Sequence, residues 1–145
     1  MIVVLDTNIV FSVIANANGL LSKSFFSIPS FADFYAPDFL ITELQLHERK
    51  LLKLSALTRL QFEVAKTSVF SQINFVDIET LPEEYLTEAA ALTKDIDYKD
   101  FQFVALTLFL DGLLWTGDKV LYKGLRRKKF MSVLTTSEIV STFGL

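Results

Sequence analysis

Ile2-Val3-Val4-Leu5-Asp6-Thr7-Asn8 opens this sequence, and Leu113-Leu114-Trp115-Thr116-Gly117-Asp118 repeats the same logic near its end. Each is an apolar run of strand type that stops at a carboxylate. A short apolar run without polar alternation reads as a strand buried on both faces, as in a parallel sheet. In parallel α/β sheets the carboxyl ends of the strands are where ligands bind. The two runs therefore set both an expected fold class and an expected place to look for chemistry.

Working outward from them, strands are predicted at residues 2–5, 34–36, 75–78, 113–116 and 131–134. Helices fill the intervals: one from Thr7 or Asn8 to about residue 15, then 20–27, 39–53, 58–70 and 81–94. A further helix opens at Asp100, another covers 118–124, and a last one is capped by Thr136 or Ser137. Strands alternating with helices predict an α/β fold, with a mainly parallel central sheet of about five strands flanked by helices. The 145 residues suit a single domain spanning 1–145. In such folds the crossovers are right-handed, and each helix begins at the sheet edge where the preceding strand ends. Carboxylates at strand ends and at helix starts then converge on one edge. Asp6, Glu43, Asp100 and Asp118 are the four residues so placed.

Composition excludes several classes. The chain is 51% hydrophobic with 14 phenylalanines, which is incompatible with disorder. It has no cysteine, so a disulfide scaffold, a thiolate zinc site and a cysteine nucleophile are all excluded, and a reducing cytosol is accommodated. No apolar run approaches the ~18 residues of a membrane span. Met1 leads straight into a strand without a basic leader region, and the expectation is a cytoplasmic protein without a membrane partner.

The net charge of −3 argues against a generally basic nucleic-acid binder, but its distribution is uneven. Residues 1–118 carry 8 basic and 16 acidic side chains, whereas residues 119–145 carry 6 basic and 1 acidic. Lys119, Lys123, Arg126, Arg127, Lys128 and Lys129 follow directly on the Asp118 motif. They are candidate contacts to a nucleic-acid backbone beside an acidic centre. The same run also reads as a solvated helix and turn.

Taken singly, each acidic residue has an ordinary structural role. Asp6 and Asp118 have N-cap geometry, Glu43 complements a helix dipole, and Asp97 and Asp100 straddle the entry to an apolar helix. Four of them on one edge call for a cation. Carboxylates are hard oxygen ligands suited to Mg²⁺ or Mn²⁺, and a bound dication removes the cost of crowding like charges. In hydrolysis such an ion acidifies water and offsets charge on a phosphate. His47 is the only histidine, so a histidine-rich zinc site is excluded; it reads as a surface helix residue. Thr7, Asn8 and Thr116 are the polar neighbours, placed to orient Asp6 and Asp118 or to bind phosphate oxygens, and they also read as helix caps. Trp115 and the phenylalanines read as core.

With these residues in place, the chain resembles the PIN-domain family, especially the VapC-type toxin nucleases. The resemblance rests on Val4-Leu5-Asp6-Thr7-Asn8, on Glu43 after Ala36-Pro37-Asp38, on Asp97-Tyr98-Lys99-Asp100-Phe101-Gln102-Phe103-Val104-Ala105-Leu106, and on Trp115-Thr116-Gly117-Asp118-Lys119. It implies a Mg²⁺- or Mn²⁺-dependent endonuclease acting on single-stranded RNA. Asp6, Glu43, Asp100 and Asp118 would be its catalytic carboxylates, with metal held by Asp6, Asp100 and Asp118 and with Asp97 an open alternative ligand. Family toxins are held inactive by a small antitoxin and often dimerise; other members process RNA. Three further readings remain: a haloacid-dehalogenase-type phosphatase, disfavoured because Asn8 stands where a second aspartate belongs; a receiver domain, which lacks its adjacent acidic pair; and a non-catalytic binding module, against which the intact quartet argues.

Overall fold

The computed structural model describes residues 1–145 and contains one five-stranded sheet. The strands are β1 (Ile2–Leu5), β2 (Asp33–Pro37), β3 (Ile73–Val76), β4 (Leu113–Trp115) and β5 (Val133–Leu134), in the spatial order β3-β2-β1-β4-β5 with every pair parallel. Val3, Val4, Leu5 and Leu114 are wholly buried, as unalternated apolar strands in a two-faced sheet must be. The α/β expectation therefore holds, down to the number of strands.

Nine helices connect and cover the sheet: α1 (Thr7–Ala15), α2 (Leu20–Ser27), α3 (Phe39–Leu46), α4 (Glu48–Ser55), α5 (Arg59–Phe70), α6 (Glu83–Thr93), α7 (Phe101–Leu110), α8 (Lys119–Arg127) and α9 (Thr136–Phe143). Helix α1 gathers α2, α4 and α5 around it. Helix α7 lies across β1, β2 and β4, with α6 packed on it and α8 against α6. Sandwiched in this way, α7 buries Phe103, Val104, Ala105, Leu106 and Thr107 on consecutive positions, and so has no clean amphipathic stripe.

Several boundaries differ from the sequence reading. The helix expected over 39–53 is two helices broken at His47, whose backbone leaves helical geometry (φ −108°, ψ 9°). The break re-aims the second half, so that Leu51 enters the core while His47 meets Phe11 edge-on. The third strand runs from Ile73 to Val76 rather than 75–78, because Asp77 caps a 3-10 turn by accepting the Glu79 N–H. Helix α8 continues past Gly124 to Arg127. The glycine is no stop signal: a Cβ there would come within 2.5 Å of Ile96, so it is the point of close approach between α8 and its neighbour. The last helix is capped by Thr135, one residue earlier than expected, in a capping box with Glu138.

Candidate active site

The chain winds from β1 outward through β2 to β3, then returns to the other side of β1 for β4 and β5. The direction of winding reverses between β1 and β4, and a parallel sheet opens a crevice at that switch point. Asp6 ends β1, and Thr116-Gly117-Asp118 ends β4, so the two motifs flank the crevice. The Asp6 N–H bonds the Trp115 carbonyl at 3.1 Å, which extends the strand pairing up to the acidic residue.

Thr116 ties the motifs together. Its hydroxyl donates to Oδ2 of Asp6 at 2.5 Å, and its oxygen accepts the backbone N–H of Asp118 at 3.0 Å. Asp118 uses Oδ1 as the N-cap of α8, accepting from Val120 and Leu121 at 2.9 and 3.1 Å. Capping and site placement are thus the same act, because the cap fixes the carboxylate at the mouth of the crevice. Glu43 arrives from the first turns of α3 and receives the Thr7 hydroxyl at 2.6 Å. The sequence left Thr7 to orient Asp6 and Asp118 or to bind phosphate oxygens; in the structure its hydroxyl goes to Glu43.

Asp100 stands at the start of α7, half-buried, with a fully enclosed Oδ2 that has no hydrogen-bond partner. Burial pushes its carboxyl up to about 7, helped by the negative charges of Asp6, Asp97, Asp118 and Glu43. Asp6 is 4% exposed, and burial raises it to about 6; the Thr116 hydrogen bond opposes that rise, while Asp118 and Glu43 add to it. The four acids therefore sit within one another's fields. No three of them close on a single point as a finished ligand cage. Mg²⁺ does not require one, since it keeps several waters and takes one or two direct carboxylates. An enclosed carboxylate oxygen with nothing to bond, among hard oxygen donors, fits a divalent cation. Asp97 lies on the exposed rim, where its Oδ1 accepts the Lys99 N–H.

The other expected site residues divide. Asn8 is exposed in a hollow with Phe11 and His47, away from any bond to the carboxylates. Lys119 and Lys123 line a cavity of about 500 Å³ beside Asp118. Arg127 and Lys129 are exposed but do not line that cavity. Arg126 is committed internally: its guanidinium holds the Val133 carbonyl and Glu138 and lies over the Tyr122 ring. Lys128 is likewise engaged by Asp95 and the Leu92 carbonyl. Thr135, Thr136 and Ser137 complete the cavity beside Asp118, and Thr136 accepts the Trp115 indole N–H at 3.1 Å. These hydroxyls lie far from the acidic motifs in sequence, and only the β4–β5 pairing brings them there.

The family model for the PIN domain matches residues 4–138. Among curated proteins, none matches the sequence. Among solved structures, the crystal structure of VapBC2 from Rickettsia felis bound to a DNA fragment from their promoter contains a similar chain. The two share 16% identity over 93% of this chain and 97% of that one, with a TM-score of 0.67. At that identity the likeness is one of fold.

Proposed function

Because the chain belongs to the PIN-domain family, we propose that it is an endoribonuclease that hydrolyses single-stranded RNA with Mg²⁺ or Mn²⁺, and that a small antitoxin protein restrains it. The observation that carries this reading is the convergence of Asp6, Glu43, Asp100 and Asp118 at the switch point, with two of the four pushed well above the ordinary carboxylate range. Such a cluster is costly to keep unless it serves a charge-dependent task.

Asp6, Asp100 and Asp118 would hold the ion, with Asp97 at the rim as a further acidic neighbour. When bound, a divalent cation acidifies an attacking water and offsets charge building on the phosphate. The chain's own residues supply the rest. Thr116 fixes the Asp6 carboxylate and, through the Asp118 N–H, the turn that carries Asp118. Thr7 fixes Glu43, whose remaining carboxylate oxygen is available to accept a proton from water. Lys119 and Lys123 offer cations to the RNA backbone beside Asp118.

The antitoxin part of the proposal rests on the structural neighbour being a VapBC2 assembly. An arginine from such a partner, inserted among the carboxylates, would replace the cation and block substrate. An apolar hollow of about 510 Å³ between α1, α2 and α5, with Phe26 and Leu60 exposed on it, offers further surface for that partner. The direct test is incubation of the purified chain with a single-stranded RNA. Cleavage with Mg²⁺ or Mn²⁺, its loss in EDTA and its loss in Asp6→Asn are expected. Cleavage that persists after thorough chelation would reject the metal-dependent mechanism.

A further inference from the structure

The strand order β1-β4-β5 fixes what lies beside the acidic centre. Asp6 follows β1, Asp118 follows β4, and Thr135, Thr136 and Ser137 follow β5. The cavity of about 500 Å³ takes its wall from the last two of these edges and from α8. Thr116 and Asp118 belong to that wall, so the cavity borders the acidic centre on the side away from β1. Its free polar groups are mostly donors. Lys119 and Lys123 stand one turn apart on α8, are exposed, and enter none of the ion pairs of the fold. The Thr136 hydroxyl accepts the Trp115 indole N–H at 3.1 Å and keeps its own proton to donate, and Ser137 adds an exposed hydroxyl. Asp118 is the one carboxylate on the wall, and its Oδ1 is taken up by the N–H groups of Val120 and Leu121. Glu138, which follows Ser137, is paired with Arg126 at 3.0 Å.

We infer that this cavity holds a second phosphate of the RNA strand, one that neighbours the phosphate being cleaved and is not itself cut. The inference rests on the ribonuclease reading. Asp6 and Asp118 stand at the β1–β4 crevice, so the bond to be cut lies there. Neighbouring strands are about 4.8 Å apart, which displaces the cavity toward β5 by about one strand spacing. A group bound there is distinct from the reacting one. A phosphodiester carries one negative charge and accepts hydrogen bonds without donating any. Two unpaired ammonium groups and two hydroxyls with protons to give match that chemistry, the lysines acting as point charges. A nucleobase does not fit as well. Bases are held on aromatic faces, and Tyr122, the one aromatic residue on the wall, has the Arg126 guanidinium over its ring at 4.9 Å. Held at the β5 side, the neighbouring phosphate fixes where the next linkage lies along the sheet edge. Lys119 and Lys123 are therefore positioning residues as well as a source of affinity, because a reacting group gains rate from being held in place. The consequence for substrate choice is that cleavage requires a charged linkage beside the cut.

The test removes charge from one linkage at a time. An RNA octamer of mixed sequence is cleaved by the wild-type chain with Mn²⁺, and its principal cut is mapped. Two further octamers each carry one methylphosphonate, which is uncharged, at the linkage on one side or the other of that cut. Cleavage at the mapped position is expected to fall at least about tenfold for one of the two, and the side on which it falls gives the direction of the strand across β5. The double variant Lys119→Gln, Lys123→Gln should cleave the natural octamer more slowly and should shrink the methylphosphonate effect to about twofold or less, because the neutral linkage and the neutral side chains remove the same interaction. Both lysines are exposed and outside every ion pair, so the double variant leaves the fold in place. Equal cleavage of all three octamers would overturn the subsite and leave the ribonuclease standing. So would a methylphosphonate effect that persists undiminished in the double variant. No cleavage of the natural octamer would overturn the ribonuclease reading and the subsite together.

Discussion

Thr116 donates its hydroxyl to Oδ2 of Asp6 at 2.5 Å, joining two residues 110 positions apart in the chain. The same oxygen accepts the Asp118 N–H. One threonine therefore holds both strand-end motifs in register. Thr116→Val keeps the shape and removes both bonds. It is expected to lower RNA cleavage about 10–100-fold, as the loss of a carboxylate's orienting partner does in metal sites. Thr116→Ser should retain most activity. Wild-type rates in Thr116→Val would make the bond incidental.

Stability should depend on pH in an unusual direction when no divalent ion is present. Asp6 and Asp100 titrate near 6 and 7 in the folded chain and near 3.8 in a free side chain. Between about pH 4 and pH 7 the folded state therefore binds protons that the unfolded state has released, so stability falls as pH rises. Below pH 4 both states are protonated and the contribution is complete; above pH 7 it is lost. Melting in EDTA should show Tm dropping across that window. Asp100→Asn should flatten the drop and raise Tm at pH 8 by about 3 °C or more. Added Mn²⁺ should raise the wild-type Tm at pH 8 and leave the variant less affected. A wild-type Tm that climbs from pH 4 to pH 7 in EDTA would contradict the burial assigned to these carboxylates.

The fold, and the placement of the candidate site on it, were legible in the residues for a physical reason. Buried parallel strands leave a run without alternation, and the carboxylate at the end of such a run has a defined place on the sheet. Asp6 and Asp118 could therefore be placed without any long-range contact being known. Boundaries set by tertiary packing were not legible. The break at His47 accompanies the burial of Leu51, and Gly124 sits within its helix where the Ile96 side chain leaves no room for a Cβ. The partners of polar side chains were the least visible: Thr7 serves Glu43 across 36 positions, and Arg126 serves Val133 and Glu138 instead of solvent.

That internal use of Arg126 separates the basic residues into two groups. Neutralising the exposed Lys119, Lys123, Arg127 and Lys129 should weaken RNA binding and lower the magnitude of its salt slope by roughly 0.7 for each lost phosphate contact. Arg126→Gln should instead cost about 1–2 kcal/mol of stability, since it takes the guanidinium from the Val133 carbonyl and from Glu138, which keeps its Thr135 partners. Titrations of binding against salt, paired with urea melts, distinguish the groups. An unchanged salt slope in the fourfold variant would assign those residues to a solvated face.

Produced in bacteria without a partner, the wild-type chain is expected to slow growth, and Asp6→Asn to relieve the effect at equal expression. Growth curves with matched protein levels check this. Normal growth at high expression, together with RNA cleavage in vitro, would remove the toxin role and leave the nuclease.

We propose that the carboxylates which repel one another at the β1–β4 switch point form a single cation site. Anomalous scattering from crystals soaked in Mn²⁺ tests it most directly. A peak bordered by Asp6, Asp100 and Asp118 is expected, and it should disappear in Asp100→Asn crystals. Manganese found only elsewhere on the surface, or a peak unchanged by Asp100→Asn, would contradict it.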